Sequence, residues 1–296
     1  MLVTGAAVVV ALAGARAAVT AAGLSASRWW TAWSIELSGV LLLTGFALLY
    51  LRGAIRRAGA GHHRFRRSVS AVLGVTAALL ALVGPIPALS AQLLWVHMVQ
   101  HLLLIIVAAP LLGACSPVTM VRIGLPAPAR HRLARLTHGL RRLERRSGGP
   151  PRLILATGVH ILALWLWHTP PVYDAAVASP LLHLLEHASF LGTGVWFWSA
   201  VHTTARRDAA RQGVATICLG TMIVQGGVLG ALIAFAPGSL FSTYTGALGF
   251  SAVEDQQFAG ALMWVVPGFV YATFAIRRFV SWLRTTEARL QVRESY

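Results

Sequence analysis

Seven apolar stretches, at about 32–51, 69–88, 91–113, 153–169, 181–201, 213–235 and 257–276, constrain this chain more than any other feature. Each is close to the ~20 residues an α-helix needs to cross the hydrocarbon core of a bilayer. Inside that core backbone polar groups must be satisfied within the segment, so apolar runs of this length fold as helices. Composition agrees, with 56% hydrophobic and 11% charged residues and a mean hydropathy of +0.68. The predicted fold is all-α, a polytopic transmembrane helical bundle with seven core spans.

The connections between these stretches alternate in charge. All 25 basic residues are arginine, and all but Arg16 and Arg28 fall in four segments: Arg52 to Arg67, Arg122 to Arg152, Arg206 to Arg211 and Arg277 to Arg293. The connections near 89, at 170–180 and at 236–256 hold no arginine but carry Asp174, Glu254 and Asp255. By the positive-inside bias the arginine-rich loops are cytoplasmic and the acidic ones outside. A net charge of +16 therefore reports membrane orientation, and no nucleic-acid partner is expected.

Residues 1–30 form an Ala/Val-rich hydrophobic segment, read as an extra helix or a signal; residues 31–280 form the seven-helix domain, and 281–296 a cytoplasmic basic tail. Around 129–146 leucines recur at helical spacing between arginines, which predicts a surface helix on anionic lipids of the inner leaflet. Gly226 to Gly230 reads as a small-residue packing face. Cys115 and Cys218 form no metal or redox motif and are read as packing residues.

With topology assigned, the histidines acquire depth. His97 and His101 lie four apart near the outer end of the third span, on one helical face, about 9 and 15 Å below that end at ~1.5 Å per residue. His168 closes the fourth span at the same boundary, and the fifth opens with His183, Glu186 and His187, a second i,i+4 pair. The last span opens on Asp255 and carries Met263 two turns further in. Ionisable groups in a membrane are costly and mark function, so polar residues from four helices at one level point to a metal or haem site.

The thioethers of Met98 and Met263 are candidate ligands of the soft type that favours Cu(I), and Glu186 and Asp255 are expected to orient imidazoles. His160, nearer the middle of its span, is read as an interhelical hydrogen-bonding group, and His202 as solvated or lipid-facing. No nucleophile or acid/base pair stands out, so an enzyme is not expected.

Four motifs occur in order: His97-Met98-Val-Gln100-His101, Trp165-Leu-Trp167-His168-Thr-Pro170 with Tyr173, His183-Leu-Leu-Glu186-His187 with Phe190, and Asp255-Gln256-Gln257-Phe-Ala259-Gly260 with Met263-Trp264. Over about residues 32–280 the chain resembles the CtaG family of cytochrome c oxidase assembly factors. The resemblance implies a multi-pass protein of the bacterial plasma membrane that helps mature a haem-copper oxidase. It also implies handling of copper for the oxidase copper centre, with oxidase subunits as partners. The soft donors and few ligands near the outer boundary point to copper as Cu(I), received from a donor at the outer face. A haem-binding protein or a copper transporter is the alternative, and in the haem case the axial ligands must come from different helices.

Overall fold

The computed structural model describes residues 33–57, 62–136, 150–204 and 209–294, with 138, 139 and 142. The N-terminal segment 1–30 lies outside these residues.

The apolar runs form helices, and short ladders tie their outer ends together. Strand β1 (Ser34–Ile35) pairs antiparallel with β2 (Val83–Gly84), Ser34 opposite Gly84. This pins the start of α1 (Leu37–Arg56) to the end of α2 (His62–Leu82), where the Glu36 amide donates to the Leu82 carbonyl at 2.9 Å. After the short α3 (Pro85–Leu89), helix α4 (Leu94–Leu102) runs through a π-helical turn, Leu103–Ala108, into α5 (Ala109–Ala114).

Pro110 explains the turn. It has no N–H to donate and its ring would collide with the carbonyl of the preceding turn. The wider loop absorbs it, and the Ala109 amide donates to Leu104, five residues back. Such π-bulges concentrate at functional sites, and this one begins two residues after His101.

Helices α6 (Pro117–Gly124) and α7 (Ala127–Leu136) follow at the arginine-rich end. The predicted surface helix thus begins at 127 and is continuous only to 136; most of 137–149 lies outside the described residues. Helix α8 (Pro150–Trp167) ends at a 77° bend into α9 (Pro170–Ala178), set by Pro170 and Pro171 at the start of the new helix. Then come α10 (Pro180–Thr204), α11 (Ala209–Ala234), a hairpin of β3 (Gly246–Ala247) and β4 (Phe250–Ser251), and α12 (Ala252–Glu294). Helix α12 runs unbroken through 281, so the predicted basic tail is its final turns as far as 294.

Among the described residues five helical segments are long and apolar enough to cross a membrane, or six if the bent α8–α9 pair is one span. Among the predicted seven, α10 fails on composition. It has 25 residues, but His183, Glu186, His187, Ser189 and Thr193 lower its hydropathy. Of these, His183, Glu186 and His187 are buried in the interior and Ser189 and Thr193 half-buried, which is why the helix is tolerated in an apolar bundle.

The α4–α5 segment is the central helix. In its most apolar stretch 78% of residues are buried, against 11–39% in the other four segments. Leu42, Leu48, Ile55, Val72, Ile217 and Phe269 are exposed, so the outer surface is apolar as a lipid-facing one must be.

Close helix contacts rest on glycine. A Cβ on Gly230 would stand 2.7 Å from the Gly260 carbonyl oxygen, and one on Gly260 2.5 Å from the Ala234 amide nitrogen. The predicted small-residue face on α11 therefore uses Gly230, with Gly227 against Trp264, while Gly226 has open space beside it.

Candidate metal centre

The site is assembled by capping the helix that carries His97 and His101. The residue before α4, Leu93, is extended and has no capping side chain. The missing acceptor comes from α12: Asp255 takes the Leu94 amide on Oδ2 and the Trp95 amide on Oδ1, each at 2.8 Å. A buried carboxylate at a helix N-terminus satisfies two orphan donors and the positive end of the dipole. Asp255 thereby fixes the helix, and both its oxygens are engaged with backbone. An Asp255→Ala variant is expected to lose about 1–3 kcal/mol of stability, read as a lower unfolding midpoint in detergent, while Gln257→Ala, on an exposed position, leaves it unchanged.

Around this helix the five outer histidines close into one buried cluster. Ring centroids are 4.5 Å apart for His97–His101, 5.2 Å for His97–His183 and His101–His187, 4.1 Å for His183–His187 and 5.8 Å for His101–His168. One donor atom each from His97, His101, Glu186 and His187 lies within 4.8 Å of the others; Glu36, His183 and His187 make a second such group. His97 Nε2 and His183 Nε2 are 3.3 Å apart. Two nitrogens held ~2.0–2.1 Å from one tetrahedral ion would be about 3.4 Å apart.

The surrounding hydrogen bonds occupy Nδ1 on three rings. The Ser90 carbonyl can only accept, so the Tyr244 hydroxyl donates to it at 2.9 Å; its oxygen is then left to accept from His97 Nδ1 at 2.7 Å. Tyr173 lies 2.9 Å from the same nitrogen and stands beside Tyr244. His168 Nδ1 donates to the Leu164 carbonyl at 2.7 Å, and His187 Nδ1 donates to Glu36 at 3.0 Å. Anchoring Nδ1–H to an acceptor exposes an Nε2 lone pair, the arrangement that prepares histidine to bind metal.

Several buried donor and acceptor atoms in the cluster have no hydrogen-bond partner: both nitrogens of His101, Nε2 of His168 and both oxygens of Glu186. The nearest approach is His101 Nε2 to Glu186 Oε1, at 3.6 Å. A carboxylate and imidazoles left unmatched in the interior are costly, and a cation among them would relieve the cost.

Two residues without a predicted role complete the site. Glu36, at the foot of α1, binds His187, lies 3.9 Å from His183 and accepts from Gln100 Nε2, which also donates to the Ala81 carbonyl at 2.8 Å. Tyr244 comes down from the 236–256 connection, which Asp174 ties to α9 by accepting from the hydroxyls of Ser242 at 2.7 Å and Thr243 at 2.8 Å. An acid at the start of an apolar span was the available signal for Glu36; a tyrosine in a polar loop offered none.

Met98 and Met263 are buried in the main apolar cluster. His160 donates from Nδ1 to the Thr193 hydroxyl at 2.7 Å, which in turn donates to the Ser189 carbonyl. His202 is half-buried, not solvated, with Nε2 3.2 Å from the Pro110 carbonyl. An apolar groove of about 230 Å³ between α1, α5 and α10 opens laterally and reaches His187.

Fold and site together define a multi-pass helical membrane protein enclosing a buried imidazole and carboxylate cluster that could hold a metal ion. The family model for the cytochrome c oxidase caa3 assembly factor (Caa3_CtaG) matches residues 48–285, and the chain belongs to that family. The resemblance seen in the four motifs is borne out. No curated protein and no solved structure matches the chain.

Proposed function

We propose that this membrane assembly factor for cytochrome c oxidase binds copper at His97, His101, Glu186 and His187, with His168 and His183 adjoining, and passes it to the oxidase copper centre. The observation that carries this reading is the set of buried donor atoms on His101, His168 and Glu186 that no group among the described residues satisfies. Imidazole suits copper, which stands at the top of the affinity order for divalent first-row ions. Delivery is as Cu(I), for which a few neutral imidazoles suffice while Glu186 balances charge.

The chain is read as seven spans in the bacterial plasma membrane, α10 being the span that composition hides. The cluster then lies near the outer face, where a copper donor reaches it. An oxidase subunit approaches sideways, along the apolar groove that ends at His187, and its own ligands compete for the ion. Residence near the outer face agrees with the inner end of the bundle, where six arginines line a cavity and oppose cation passage. No chemical step is assigned to the protein.

The test is an anaerobic Cu(I) competition titration of the full chain purified in detergent. The expected result is one tightly bound ion per chain. A wild-type protein that binds none overturns the proposal.

A further inference from the structure

A cavity of about 1000 Å³ lies at the opposite end of the bundle from the histidines. Six guanidinium groups line it: Arg66 and Arg67 from α2, Arg152 from α8, and Arg277, Arg278 and Arg284 from α12. None of the described lining residues is acidic. Sequence reading treats these arginines as separate loop charges that set orientation; folding gathers them around one space. Arg66, Arg67, Arg277 and Arg284 alone bring four like charges to this space, and an anion among them would offset their repulsion.

Two further features of the walls indicate which anion. The first turn of α6 faces the cavity through Pro117, Val118 and Thr119, with Ser116 before it, so backbone amides and the positive end of a helix dipole add to the guanidiniums. Phe274, Ile276 and Val280 also line the cavity, and the latter two are exposed on the apolar flank of α12. A cavity with a cationic wall and an apolar, lipid-facing edge fits an amphiphile better than a small inorganic ion. The positive-inside bias sets this end in the cytoplasmic leaflet, which carries anionic lipid.

We propose that this cavity is a binding site for an anionic phospholipid, with the headgroup phosphate among the arginines and the acyl chains leaving along Phe274 and Val280. Arginine is suited to the role because its planar fork grips phosphate oxygens in pairs. The site is distinct from the predicted lipid contact at 129–146 and shares no residue with the metal centre. It joins the inner ends of α2, α5, α8, α10 and α12, and so a bound lipid would brace the inner ends of the helices that carry His97, His101, His183 and His187 at their outer ends.

The test uses native mass spectrometry of the full chain in neutral detergent, titrated with phosphatidylglycerol, phosphatidylcholine or inorganic phosphate. Wild type is expected to retain one phosphatidylglycerol in preference to phosphatidylcholine. Arg67→Gln/Arg277→Gln is expected to weaken retention about 30-fold, since each arginine near anionic lipid contributes roughly a fivefold factor. Arg52→Gln/Arg57→Gln, on exposed positions at the inner end of α1 and away from the cavity, should leave it unchanged. If the first pair does not fold, Arg284→Gln alone replaces it, with about a fivefold loss expected. Equal retention of the two lipids, an equal loss in the α1 control, no loss in the cavity variants, or displacement of the lipid by inorganic phosphate at equal concentration would overturn the assignment.

Discussion

A His97→Ala/His101→Ala variant is expected to bind no copper in the titration that wild type passes, and to leave caa3 oxidase without its full copper complement in cells. Both imidazoles come from α4, and their removal takes two of the four converging donors while leaving Asp255 on the backbone that starts the helix. The fold should therefore persist, which a circular dichroism spectrum checks. In the same titration Glu36→Gln gives a graded result. Its oxygen holds His187 Nδ1 at 3.0 Å, and loss of such an orienting partner lowers metal affinity by about 10–100-fold. Binding undiminished in the histidine variant would remove the cluster as the copper site. Binding undiminished in Glu36→Gln alone would confine Glu36 to structure.

Gly124→Ala is expected to unfold the protein or to lower its stability by more than about 3 kcal/mol, because overpacking against backbone cannot be relieved by a rotamer change. A Cβ on Gly124 would collide with the Leu49 carbonyl oxygen; one on Gly53, across the same contact, would collide with that of Met120. Helices α1 and α6 therefore touch backbone to backbone, the approach that small residues permit in membranes. Gly45 on α1 has nothing within 4 Å of its Cβ position, so Gly45→Ala should be neutral or slightly stabilising through helix propensity. Unfolding in sodium dodecyl sulfate, followed by circular dichroism, separates the cases. Equal behaviour of the two alanine variants would show that the α1–α6 contact yields.

This contact also matters for the metal centre. Helix α1 carries Glu36 one residue before its start, so an α1 displaced from α6 would move the carboxylate away from His187. The matched family region begins at residue 48 and does not include Glu36. Sequence motifs drew attention to four helices, whereas the structure builds the cluster with a fifth.

What could be read directly was whatever has a local period or a local charge. Apolar runs of span length determined the bundle, arginine placement determined which ends lie together, and i,i+4 spacing put His97 with His101 and His183 with His187. Depth then brought His168 to their level. The stretch at 181–201, expected as a span, forms α10 but is not apolar enough to be counted among the candidate spans, because it carries the buried His183, Glu186 and His187.

Only the tertiary structure could decide partners far apart in the chain. Glu36 meets His187 across 151 residues, Tyr244 meets His97 across 147, and Asp255 meets Leu94 across 161. No periodicity encodes such contacts; they follow from which helix faces pack and how closely glycine lets them approach. The same packing turned Asp255 from an expected imidazole partner into a helix cap, because two unsatisfied amides at the start of α4 lay within its reach. It also gathered arginines from three helices around one cavity. The sequence by itself determined that this is a membrane bundle with histidines at one level. Packing decided which groups hold those histidines, since hydrogen bonds in a dry interior form only where helix faces meet.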